Sequence, residues 1–268
     1  MKDTVKKWCS FKKACDALSR PKERWIFRGQ QSIDWKLATS LERILYRVNP
    51  GLADPLEAEA FLLREFKRHF HRYSQSVPDY RDNLEWLALM QHHGAPTRLL
   101  DWTFSEYVAL FFAIEGVSPG HECVVWAVNQ TRCWKKFKHT LPERHQRRIE
   151  KDDKDRKTLN WVLAQFDHSG ICPVNPFRLN ERLAVQRGTF LLPLNPYETF
   201  EDNFKESIQR DKSMFKKIKI KCSREFLKES LTELQKMNIS HITLFPGIDG
   251  FARSLNTTVF LPHLWPQS

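Results

Sequence analysis

The chain has 268 residues, 41% hydrophobic and 12% aromatic, with a formal charge of +11. That is enough apolar material for one large domain or two small ones, with no run near the roughly 20 apolar residues of a membrane span. A cytoplasmic protein without membrane contact is expected, since Met1–Trp8 has no apolar signal core, and the basic excess favours a polyanion such as RNA, DNA or an acidic protein.

The elements follow in chain order. Val5, Trp8, Phe11, Ala14 and Leu18 recur at helical spacing, so residues 1–20 read as a short helix that Pro21 breaks. Trp25-Ile-Phe27 reads as a strand ended by Arg28-Gly29-Gln30-Gln31, and a helix is expected from near Ser40, closed by Pro50 and Gly51. Residues 55–72 place Leu56, Ala60, Leu63, Phe66 and Phe70 on one face, acids first and bases last, which suits the helix dipole. Residues 82–92 form another helix, stopped by Gly94 and Pro96, and 105–115 a third, apolar all round and therefore buried.

Cys123–Val128 reads as a buried central strand. Residues 131–160 hold 11 Lys/Arg against 5 Asp/Glu, so +6 of the chain's charge sits there. They read as an exposed, basic helical insertion at about 131–165, with Trp134 and Phe137 docking one end. Its mix of bases and aromatics makes it the best candidate for polyanion contact, although such runs are more often a solvated face. Residues 183–192 and Phe215–Ile220 read as strands, 223–237 as a helix, Ile242–Phe245 as a strand and Pro246–Gly250 as a turn. The fold class expected is one α+β domain over 1–268, with a central mixed or antiparallel sheet flanked by helices.

The six cysteines show no CxxC spacing, so free thiols and no zinc site are expected. Chemistry concentrates in Gln91-His-His-Gly-Ala-Pro-Thr-Arg-Leu-Leu-Asp-Trp-Thr103. Adjacent His92 and His93 point about 100° apart on a helix and do not share a metal; one of them, His92, is a candidate general base. Thr97 and Arg98 supply donors and Asp101 an acceptor for ribose hydroxyls, or Arg98 and Asp101 pin a loop. Arg28 ends a strand, where it can clamp a phosphate bidentately beside Gly29, or form a surface ion pair. Arg182 and Gln186 fall on one face of the expected 183–192 strand, with Gly188 leaving space for a ligand or for close packing. No Walker A loop, GxGxxG or GxSxG elbow is present.

Trp25-Ile-Phe-Arg-Gly-Gln30, Trp35–Arg43, Glu85–Thr103, Val108–Ala113, Arg182–Phe190 and Leu244–Gly250 together resemble the FRG-domain family of bacterial proteins. The family's layout looks like a divergent ADP-ribosyltransferase. The resemblance implies NAD as substrate, no metal, and a toxin or anti-phage effector that modifies nucleic acid (RNA favoured over DNA) or protein, with an antitoxin as possible partner. It assigns catalytic roles to Arg28, Thr97, Asp101, Gln186 and His92. NAD would be held by Arg28, Gly29, Gln30, Thr97, Arg98 and Trp102, the last stacking on nicotinamide. The sequence departs from the pattern at Gly188, where such enzymes carry a Glu. Asp101, Glu42, Glu85 or a histidine must then substitute, or the domain is a non-catalytic nucleotide- or nucleic-acid-binding module. A third reading is a metal-independent hydrolase or nuclease using His92 or His93.

Overall fold

The structure, a computed structural model, describes residues 4–48, 54–151, 156–165, 168–176, 181–209, 211 and 213–260. The expected stop at Pro50 and Gly51 and part of the basic segment, 152–155, lie outside them. Among the described residues one open sheet carries six strands: β1 (Trp25–Gln30), β2 (Leu100–Thr103), β3 (Glu122–Asn129), β4 (Ile171–Val174), β5 (Gly188–Pro193) and β6 (Phe215–Lys221). Their order is β4-β5-β2-β1-β3-β6, and every neighbouring pair is antiparallel. The protein is an α+β domain, and the open choice between mixed and antiparallel resolves to antiparallel.

Side chains of directly paired residues share a face, and alternate residues of a strand change face. Phe27 pairs with Thr103, and Asp101 pairs with Phe190, so these four point to one side. Two core clusters lie side by side there. One joins Phe27, Val125 and Ile218 to the helices Glu106–Ile114 and Arg224–Lys236. The other joins Phe190, Leu192 and Cys172 to Leu87, Met90, Phe137 and Val162. A third cluster, with Ile26, Leu100, Trp102 and Leu191, fills the opposite face.

The helix Glu106–Ile114 starts where the Ser105 hydroxyl accepts from Val108 N (3.3 Å), an N-cap. It lies so close to β1 that a Cβ on Gly29 would overlap Ala109 O and sit 2.6 Å from Ala113 N. The close approach at Gly29 is thus made by helix backbone. Because that obstacle is backbone rather than a flexible side chain, Gly29→Ala is expected to destabilise the fold by about 3 kcal/mol, read as a lower denaturation midpoint. A loss under about 1 kcal/mol would mean that the helix can move off the sheet.

Several expectations are corrected. β1 does not stop at Phe27 but continues through Arg28 to Gln30. The expected strand 183–192 is split into a helical turn, Glu181–Val185, and β5, with the chain reversing at Arg187 (φ 49°). Ile242–Phe245 is not a strand: His241–Leu244 is helical, and a longer helix, Ile248–Phe260, runs through the expected turn. Runs of four or five apolar residues fit either period, so packing decides between them. The basic segment is helical (Gln130–Thr140, Glu143–Lys151, Arg156–Gln165), but it is not an appendage docked at one end. Phe137, Ile149, Val162 and Leu163 are buried along its length in the second cluster. Its helices are amphipathic, so one charged run supplies both a wet face and a core face. No described helix is long and apolar enough to cross a membrane.

Candidate functional site

β1 and β2 share the single register pair Phe27↔Thr103, whereas β1 runs alongside β3 from Trp25↔Asn129 to Gln30↔Val124. Beyond Phe27 the sheet splits. Where the ladder stops, Arg28 Nη1 reaches across and donates to the backbone carbonyl of Asp101 (2.7 Å). The guanidinium bridges the two strands where the ladder ends. Its Nε is enclosed without a partner. Burial pulls its pKa below the usual arginine range, opposed by the Asp101 charge, and Arg43 adds to the lowering.

The Asp101 side chain is exposed and held from behind. Thr97 Oγ1 donates to Gln91 Oε1 (2.6 Å), and Gln91 Nε2 donates to Asp101 Oδ2 (2.8 Å). Thr97 itself is fully enclosed, its N–H donating to Ser40 Oγ (3.0 Å) and its carbonyl accepting from Leu41 N (3.0 Å). The relay fixes the carboxylate on rigid elements, the condition for precise positioning.

A cavity of about 220 Å³ opens at the split, lined by Phe27, Arg28, Asp101, Phe112, Arg182 and Gln186 among others. Arg182 lies in the helical turn, where Gln186 N donates to its carbonyl (3.0 Å). An i,i+4 pair in a helical turn shares a face, so the two residues do come together, though not on a strand. Arg182 Cζ stands 4.7 Å from the Phe245 ring centre. Gln186 Nε2 donates to Leu244 O (3.0 Å) and its carbonyl accepts from Thr103 Oγ1 (2.7 Å).

Other expected cofactor contacts are used differently. Arg98 makes a buried two-pronged pair with Glu59 (Nε–Oε1 3.0 Å, Nη2–Oε2 2.7 Å) and donates to Leu163 O (2.5 Å). It pins three segments together and does not reach the cleft. Gln30 is buried, donating to Lys36 O (3.1 Å) and accepting from Trp126 Nε1 (2.7 Å). The Trp102 ring packs in the third core cluster, on the face opposite Asp101, although the residue also lines the cavity. Phe112 lines the cavity as well, a ring that apolar spacing alone marks as core. His92, at the end of Asn83–His92, has Nδ1 enclosed without a partner; burial, then His93 and Arg182, push its pKa down. Glu42 accepts from Phe200 N (3.1 Å), burial raising its pKa. Gln91 was visible inside the motif but its role as the bridge was not.

Away from the cleft, Glu115 Oε1 meets His241 Nε2. Burial raises Glu115 to about 7, against a pull from Arg253, and lowers His241. Between about 4.5 and 7 the folded state binds the Glu115 proton and the unfolded state does not. Its stability term therefore falls as pH rises through that window; His241 acts in the opposite sense below its unfolded pKa. Glu115→Gln should gain about 1–3 kcal/mol relative to the parent between about pH 5 and 8, measured by urea denaturation. A difference constant with pH would show that Glu115 does not titrate there.

Comparison with curated proteins gave no match, and comparison with solved structures gave none either. Residues 23–122 match the family model of the FRG domain. The matched span includes Arg28, Gln91, Thr97 and Asp101, so the Arg28 bridge and the relay both lie inside it, while Arg182 and Gln186 reach the cleft from outside. The chain carries an FRG domain over residues 23–122.

Proposed function

We propose that this protein is an ADP-ribosyltransferase, with a transferase-like sheet, that takes NAD as donor and modifies nucleic acid, RNA favoured, or protein. The observation that carries the reading is the exposed Asp101 carboxylate, held by Gln91 at a split in the sheet and lining one cavity with Arg28 and Arg182. NAD offers a pyrophosphate that Arg side chains bind well. A volume of about 220 Å³ is below the roughly 300–1,000 Å³ of sites that enclose a drug-sized ligand. It suits the nicotinamide–ribose end, with the phosphates toward the arginines. Phe27 and Phe112 supply apolar wall, and Asp101 sets fixed negative charge beside the ribose, which turns cationic as its C1′–nitrogen bond breaks. Nicotinamide leaves with the bonding electron pair, the acceptor forms the new bond to C1′, and its proton passes to Asp101 or solvent. In the cytoplasm such an activity suits a bacterial toxin or anti-phage effector, kept in check by an antitoxin.

One observation favours a second reading, a non-catalytic nucleotide- or nucleic-acid-binding module. At Gly188, where the resemblance expects a Glu, a Cβ would overlap Leu183 Cδ1 and lie 3.1 Å from its Cγ. Purified protein incubated with labelled NAD and total RNA, DNA or lysate separates the two. Label on a macromolecule supports the transferase. An NAD-dependent rise in Tm without label supports the module, and neither signal overturns the transferase reading.

A further inference from the structure

A second cavity, of about 520 Å³, is walled by the start of Asn83–His92, the helix Gln130–Thr140 and the end of β4. It lies near the first. Val174 on its wall pairs with Phe190, which pairs with Asp101, and two strand spacings are about 10 Å. Its charge is divided. Lys135, Lys138 and Arg24 line it, and none of the three is ion-paired with a described residue, unlike Arg132, which is held by Glu23 (2.8 Å). Asp82 and Glu85 also line it and are only 5% and 7% exposed. Trp134 and Lys138 are four apart on one helix, hence on one face. The indole is half-buried, tilted against Phe137 with ring centres 5.3 Å apart.

Each part limits the ligand. Lysines with no ion-pair partner among the described residues, beside a half-buried aromatic, are the elements of a single-strand nucleic-acid groove, where bases stack and cations follow the phosphates. Buried carboxylates accept hydrogen bonds only; they repel phosphate from the inner wall and suit an exocyclic amine or a ribose hydroxyl. A simple anion would need the cations without the acids. A base-paired duplex cannot send a base into a cavity without unpairing it. We propose that this cavity binds single-stranded nucleic acid, with the phosphates at Lys135, Lys138 and Arg24 and a nucleoside at Trp134, Asp82 and Glu85. It deepens the transferase reading by naming the acceptor class, and for that purpose rests on it; the binding itself does not.

The test is fluorescence anisotropy of the whole chain with a short labelled single-stranded RNA, the DNA of the same sequence, and a duplex, across a salt series. Both single strands should bind better than the duplex. Lys135→Glu/Lys138→Glu should weaken binding at least about tenfold and flatten the dependence of log K on log salt by about 1–2. Trp134→Ala should lose about tenfold and Trp134→Phe much less, since a ring remains for stacking. Melting curves check that each variant is folded. A preference for RNA that Glu85→Gln removes would place the ribose hydroxyl at the acidic wall; equal binding of RNA and DNA would place the base there. No binding at low salt, a preference for duplex, or a charge-reversed variant that binds like the parent overturns the proposal. The NAD-dependent Tm shift of the same variants is read separately. Strand binding that responds as expected without any NAD signal removes the transferase reading and leaves this site standing.

Discussion

Asp101→Asn is expected to cut label transfer from NAD by about 10²–10³, while NAD binding changes only a few-fold and Tm stays within about 1 °C of the parent. The substitution keeps the shape of the side chain, and an amide oxygen still accepts from Gln91 Nε2, which is 2.8 Å from Oδ2 in the parent. The backbone carbonyl that Arg28 holds at 2.7 Å is untouched. Only the negative charge is lost, and fixed charge aimed at a developing cation contributes about that factor in rate. Gln91 acts as a positioning residue: Gln91→Leu should lower the transfer rate with little effect on KM, because the carboxylate remains but loses its orientation. Undiminished transfer by Asp101→Asn would move the catalytic acid elsewhere, and equal losses of binding and rate would make Asp101 a ligand contact only.

The largest stability effect is expected at Arg98. Arg98→Ala should cost about 3–5 kcal/mol, the usual result of removing one partner of a buried ion pair. Glu59 would keep a carboxylate 9% exposed with its two-pronged partner gone, and Leu163 O would lose its donor. The cost therefore comes mainly from the charge left behind. Arg98→Met combined with Glu59→Leu should recover most of the loss, since an apolar pair of similar volume is often as stable as a buried ion pair. Urea denaturation of the single and double variants measures both. A cost under about 1 kcal/mol, with weakened NAD binding in the folded protein, would return Arg98 to the cofactor role that the motif suggested.

The local elements were legible in the residues. The helices over 55–70, 83–92, 106–114 and 224–236 and the strands β3 and β6 follow from apolar spacing, and spacing is a property of near neighbours. The Gln91–Thr103 segment was rightly marked as the place where polar groups gather, and the structure puts Gln91, Thr97 and Asp101 into one relay. Which of its residues turns inward was not legible. Thr97 and Arg98 are adjacent, yet one ends on Gln91 and the other on Glu59, 39 residues earlier in the chain. Nothing within a window of a few residues encodes that partner.

Composition, charge and periodicity thus determined that this is an α+β domain with a basic, amphipathic helical segment and a polar cluster between two helices. Only the tertiary structure decided that β1 and β2 part after Phe27↔Thr103, that Arg28 bridges them there, that Phe112 joins Trp102 in the cavity lining, and that Arg182 arrives from a helical turn rather than a strand. The physical reason is the range of the forces involved. Backbone propensity and amphipathic pattern act over one or two turns. The opening of a ladder and the pairing of a buried charge are settled by which distant segments the core brings into contact.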